Sequence, residues 1–206
     1  MGALENILFK ISFPAEFHAQ TAVEAALALH PEVKNRLNAI DRIVIETQES
    51  GKRIIDKIGP LHNPADRDHC IQYMVAIPLI FGRLSAEDYE DRVARDPRID
   101  RMREKMEVLE NKEFTADYFD PAKRSIGNSV RVFFTDGTQT DRIAVEYPIG
   151  HRRRRKEGIP LLLEKFDRNV RGRISPRNAE SIVTLCANQA RLESTPVDRF
   201  MSLFVV

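Results

Sequence analysis

The sequence predicts an α+β fold: a small antiparallel sheet with packed helices, followed by C-terminal helices. Helical and strand patterns are mixed without the alternating βαβ rhythm of a parallel-sheet protein. Two β-rich runs, 129–135 and 140–147, are joined by Asp136-Gly137, a tight-turn pair that favours a hairpin. From about residue 160 onward helical spacing takes over.

The elements follow in order. Helix 16–29 is rich in alanine and carries Val23, Ala26 and Leu27 as an apolar stripe; His30-Pro31 is expected to end it, because the residue before proline avoids α geometry. Strand 40–47 alternates Ile43 and Ile45 with Arg42, Val44 and Glu46. A short helix at 52–57 leads into the Gly- and Pro-rich loop 59–64. Asp66 is expected to cap a buried helix 67–81, which Gly82 stops. Ser85 and Asp88 have capping-box spacing before a helix 86–94. Pro97 opens helix 98–103, which gives way to strand 106–109. Asp117, Asp120 and Asp136 sit in turn contexts. After the hairpin come helices 160–170 and 176–192, the latter with Ile182, Leu185, Cys186 and Gln189 on one face, and an amphipathic segment 196–204.

With 206 residues, 42% hydrophobic and 31% charged, the chain can bury a core as one compact unit. Its net charge of +1 gives no case for nucleic acid or a membrane surface as partner. The two cysteines, Cys70 and Cys186, are far apart, which excludes a zinc ribbon or disulfide framework and fits a reducing compartment. They are also too few for an iron–sulfur cluster. The longest apolar run, 74–81, is too short to span a membrane and is interrupted by Pro78. Residues 1–10 lack the pattern of a signal peptide, so a cytoplasmic location is expected.

Three polar clusters could carry chemistry. Lys10, set between Phe9 and Ile11, is expected to be partly buried and to pair with an anion, with His18 nearby. The alternative is a surface lysine and a helix-start histidine. Asn63-Pro64-Ala65-Asp66-Arg67-Asp68-His69 crowds acids, an arginine and a histidine at a helix start. Arg67 suits a carboxylate there and His69 a proton transfer, unless the cluster simply caps and pairs. His151-Arg152-Arg153-Arg154-Arg155-Lys156 lacks interleaved aromatics and is expected to be a solvated loop or a charge-paired subunit contact. Cys70 and Cys186 lie beside apolar residues as buried, inert thiols.

Phe9-Lys10-Ile11-Ser12-Phe13-Pro14-Ala15-Glu16-Phe17-His18, then Asn63 through His69 continued by Cys70-Ile71-Gln72-Tyr73-Met74, closely resemble the MmgE/PrpD family in its 2-methylcitrate-dehydrating branch. Glu146-Tyr147-Pro148-Ile149-Gly150-His151 and the arginine run do so too. The resemblance implies a metal-independent hydro-lyase of propionate catabolism that acts on a tricarboxylate, with no cofactor. It implies a homodimer built from a large helical domain and a smaller α+β domain, more than twice as long as this chain. The chain is thus expected to be the C-terminal part, inactive or weak alone: residues 1–175 form the smaller domain, and 176–206 pack on the absent helical one. By resemblance Lys10 lines the substrate cleft, and Gln20 stands near where the wider family often has a histidine. Lys10, His18 and His69 are the catalytic candidates, and Lys10, Gln20 and Arg67 the substrate-binding ones. The other readings are a non-catalytic tricarboxylate-binding or dimerisation module and, more distantly, a decarboxylase or epimerase on the same scaffold.

Overall fold

The computed structural model describes residues 8–11 and 13–205; the segment 1–7, on which the signal-peptide reading rests, and Ser12 of the first motif lie outside the described residues. Four strands form one sheet in the order β2-β1-β3-β4: β1 (Ile40–Thr47), β2 (Met106–Glu110), β3 (Asn128–Phe134) and β4 (Ile143–Val145). β1 and β3 pair antiparallel from Ile40↔Phe134 to Thr47↔Asn128. β1 and β2 pair parallel, from Ile43↔Met106 to Thr47↔Glu110. The α+β class holds, but the sheet is mixed rather than wholly antiparallel. A long helical crossover returns the chain to its starting side, a non-local pairing that strand spacing does not encode.

One sheet face is the core. Ile43, Ile45, Val130 and Val132 point into it, each fully buried, as strand alternation requires. Against them lie α1 (Gln20–Val33) and α4 (Ile71–Phe81). Alanines 22, 25 and 26 let α1 approach closely, and α4 is buried from Ile71 to Ile80, as a helix apolar on every side must be. Each large aliphatic side chain so placed contributes about 1.5–3 kcal/mol relative to exposure.

Between β1 and β2 run α2 (Glu49–Ile55), α3 (Pro64–Asp68), α4, α5 (Asp91–Ala94) and α6 (Pro97–Arg103). α7 (Lys112–Phe119) follows β2, and α8 (Arg155–Arg171), α9 (Pro176–Cys186), α10 (Gln189–Ser194) and α11 (Val197–Ser202) follow the sheet. Several boundaries differ from expectation. α1 begins after a 3-10 turn, Phe17–Ala19, and continues through Pro31, because Leu29 and Val33 bury only if the helix persists. The expected helix 67–81 is two helices broken at His69 and Cys70. Asn63, not Asp66, caps the first, its Oδ1 accepting from the Asp66 N–H at 2.9 Å. Asp66 accepts instead from Lys57 Nζ (2.7 Å) and the His62 N–H (3.0 Å). The capping box is present, but its segment splits into a 3-10 turn, Ala86–Tyr89, and α5. α7 replaces the turn expected around Asp117, which pairs with Lys123 at 2.6 Å. α8 starts five residues earlier than expected, and the predicted helix 176–192 breaks between α9 and α10.

A second, smaller cluster joins Val170 of α8 to Ala179 and Ile182 of α9, with Phe166, Ile174, Cys186, Leu203 and Phe204 packed around it.

Candidate functional site

The two parallel strands end side by side, Thr47 opposite Glu110, and Asn128 opens β3 on the other flank. Two helices start from this edge. Gln48 caps α2 through the Gly51 N–H, and Asn111 caps α7 by accepting from the Glu113 and Phe114 N–H groups at 3.0 and 3.2 Å. The Asn111 N–H donates to the Thr47 carbonyl at 2.8 Å, and the Glu49 N–H to Thr115 Oγ1 at 2.9 Å, so the helix starts are locked together.

His18 is delivered to this edge. Asn128 Nδ2 donates to the His18 carbonyl at 2.7 Å and to Thr21 Oγ1 at 2.6 Å. His18 is 8% exposed, and its imidazole spans two partners. Nδ1 lies 3.0 Å from Glu16 Oε1, and Nε2 lies 3.3 Å from the Tyr118 hydroxyl on α7. Glu16 Oε2 also accepts from the His18 N–H at 2.7 Å. Burial alone would push the Glu16 carboxyl upward. The His18 hydrogen bonds and charge, with a smaller contribution from the His69 charge, reverse this and hold it below its usual range. Glu16 is therefore an ionised group at neutral pH that feels both histidines.

His69 closes α3 and is exposed. Its Nδ1 lies 3.2 Å from the Ala65 carbonyl, and Asp68 Oδ2 is 3.8 Å away. Since a carbonyl can only accept, Nδ1 carries the proton in the neutral ring and Nε2 keeps a lone pair.

The other candidates lie differently. Lys10 is exposed rather than partly buried, because extended-chain alternation turns Ile11 and Phe13 inward and Lys10 out. Its segment docks on the Glu146–His151 string. The Phe9 N–H donates to the Gly150 carbonyl at 3.1 Å, the Arg155 guanidinium stacks over the Phe9 ring at 3.7 Å, and Lys165 Nζ donates to the Lys10 carbonyl at 2.5 Å. Gln20 is buried, its Nε2 donating to the Ala15 carbonyl at 2.6 Å. Arg67 is also buried, donating to the Tyr89 carbonyl at 2.5 Å and Asp91 at 2.7 Å. The structure holds His18 against Glu16 and leaves His69 exposed at the end of α3, while Gln20 and Arg67 face inward as scaffold donors.

The basic run is structured, not a solvated loop. It forms a 3-10 turn and the start of α8, with Arg154 bonded to Glu24 and to the Tyr147 carbonyl, both at 2.7 Å. Cys70 is buried and its thiol raised by desolvation; Cys186 is only half-buried, with its thiol raised for the same reason. No group of three or more His, Cys, Asp and Glu gathers as metal ligands among the described residues. Nor is any described helix long and apolar enough to cross a membrane.

Residues 13–189 match the MmgE/PrpD C-terminal domain. The chain belongs to the MmgE/PrpD family. It is 55% identical to 2-methylcitrate dehydratase of Salmonella typhimurium over 98% of its own length and 43% of that protein's. It is 57% identical to the mitochondrial 2-methylcitrate dehydratase of Yarrowia lipolytica, covering 98% of this chain and 39% of that one. The more distant 2-methylcitrate dehydratase-like protein oryR of Aspergillus oryzae is 40% identical, over 98% and 41%. The chain therefore spans less than half the length of these MmgE/PrpD relatives.

Sequence reasoning passed over Glu16 and Tyr118. Glu16 stands two residues before His18, a spacing that suits a carboxylate to cap the turn and hold the ring. Tyr118 shares a helical face with Phe114 behind the Asn111 cap, the signal that would have revealed α7.

Proposed function

We propose that the chain is the C-terminal portion of a hydro-lyase that removes water from 2-methylcitrate to give 2-methyl-cis-aconitate, in propionate catabolism through the methylcitrate cycle. The observation that carries this reading is a buried histidine, His18, held between the Glu16 carboxylate and the Tyr118 hydroxyl, with His69 exposed at the end of α3. Dehydration needs a base for the carbon-bound proton and an acid for the departing hydroxyl. His69, with its Nε2 lone pair outward, is suited to the first task. His18, whose ring Glu16 orients at Nδ1, is suited to supply the proton for the second. Lys10 presents an exposed ammonium to a substrate carboxylate. Gln20 and Arg67 serve binding indirectly, by holding the Ala15 and Tyr89 carbonyls in place.

In this reading the remaining length found in the relatives supplies a helical domain that closes the cleft. The C-terminal helices pack on that domain, and the assembled protein is a metal-independent, cytoplasmic homodimer. The activity named for the relatives and the low coverage of their length together support a half-site rather than a whole one.

The test follows the ultraviolet absorbance of the new conjugated double bond. 2-Methylcitrate is offered to this chain alone and to its mixture with the separately expressed remainder of the Salmonella relative. Activity is expected in the mixture only, and His69→Asn should lower it by about 10²-fold or more. Activity in the chain alone would place the whole acid–base pair here. An inactive mixture in which citrate still raises the melting temperature would make the chain a tricarboxylate-binding module.

A further inference from the structure

His18 cannot itself reach a substrate. The residue is 8% exposed, Nδ1 is taken by Glu16, and Nε2 faces the Tyr118 hydroxyl. Tyr118 is half-buried on a helix fixed at both ends, by the Asn111 cap and by the Asp117–Lys123 pair at 2.6 Å. Around this pair lies an aromatic rim. Phe17 packs edge-on against His18 at 5.3 Å and Phe119 edge-on against Tyr118 at 5.1 Å, and both phenylalanines are exposed. A proton on Nε2 of the buried imidazole therefore faces the phenol, while Nδ1 is held by Glu16.

We propose that Tyr118 is the terminal proton donor of the site, resupplied by His18, whose ring Glu16 orients. The proposal rests on the hydro-lyase reading and names the acid within it. An ordinary tyrosine hydroxyl is protonated at neutral pH, and a carboxylate–histidine pair behind a hydroxyl is a recurrent way to move its proton. The Tyr118 proton passes to the substrate hydroxyl as the C–O bond breaks, and the bonding pair leaves with the water formed. The Tyr118 oxygen takes the Nε2 proton of imidazolium His18, which relaxes to the neutral Nδ1–H form still bonded to Glu16. The base, His69 in this reading, takes the carbon-bound proton, and the C–H electron pair becomes the C=C bond. Solvent returns the proton from base to His18, so the cycle closes.

Nitrogen-15 long-range correlation spectra of the whole 206-residue chain test the relay directly. The neutral His18 ring is expected in the Nδ1–H form. Tyr118→Phe should move its Nε2 resonance toward that of an unbonded imine nitrogen, and Glu16→Gln should shift the ring toward the Nε2–H form. An Nε2–H tautomer in the wild type, or an Nε2 signal unmoved by Tyr118→Phe, overturns the relay. In the complemented mixture Tyr118→Phe should lower kcat about 10²-fold with KM within about threefold, whereas an unchanged kcat overturns the assignment of the acid. A mixture inactive in the wild type defeats the dehydratase reading instead, and the tautomer and Nε2 signals still decide the relay.

Discussion

Asp88 shows how much a single buried carboxylate can hold. It is fully buried, with Oδ2 accepting from the Ser85 N–H at 2.8 Å and Ser85 Oγ at 2.9 Å, and Oδ1 from Arg83 at 2.9 Å. Asp88→Ala would orphan the part-buried Ser85 N–H and open the capping box, a loss of about 2 kcal/mol in urea unfolding. Arg83→Ala should cost less than about 1 kcal/mol, because its side chain is 57% exposed. Equal losses would show that the ion pair, not the cap, is what matters. His151 gives a pH dependence of definite sign. Burial, then the charges of Arg152, Arg153 and Arg155, hold it below the ordinary value of 6.5. Above 6.5 the folded and unfolded chains are both neutral at this residue. As pH falls through 6.5 the unfolded chain takes up a proton that the folded one resists, so stability is lost on the acid side. Unfolding measured between pH 7.5 and 5.5 should show this slope, and His151→Asn should flatten it.

The elements divide by whether their signal is local. β1, α4, the capping box and the Gly82 stop were legible because apolar spacing, capping residues and a left-handed glycine act within a few positions. α7 was not, since it buries no residue and its helical spacing rests on Phe114 and Tyr118 alone. The parallel pairing of β1 and β2 and the contact between His18 and Tyr118, 100 residues apart, have no local signature at all. The same applies to the docking of the Lys10 segment, which only the resemblance linked to the cleft. That docking depends on Gly150: a Cβ there would stand 1.6 Å from the Phe9 carbonyl oxygen. Gly150→Ala should therefore detach 8–11 and abolish hydrogen-exchange protection of the Phe9 amide. Unchanged protection in the variant would mean that the segment can shift without leaving.

At the scale of the molecule, the large cluster from Phe13 to Phe134 and the small one around Val170, Ala179 and Ile182 share no buried residue. Buried apolar contacts are what make a region unfold as a unit, so the two clusters are expected to open separately. The boundary expected at 176 falls inside the small cluster, which binds the end of α8 to α9. Ile182 is fully buried there, and Ile182→Ala should remove about 2–4 kcal/mol from that unit. Hydrogen exchange should then accelerate in α9 and in the last turns of α8, while β1 and β3 stay protected. Such a result would separate the C-terminal helices energetically from the sheet. Acceleration spread evenly over β1, β3 and α9 would instead show one cooperative unit, in which the helices need nothing further to pack against.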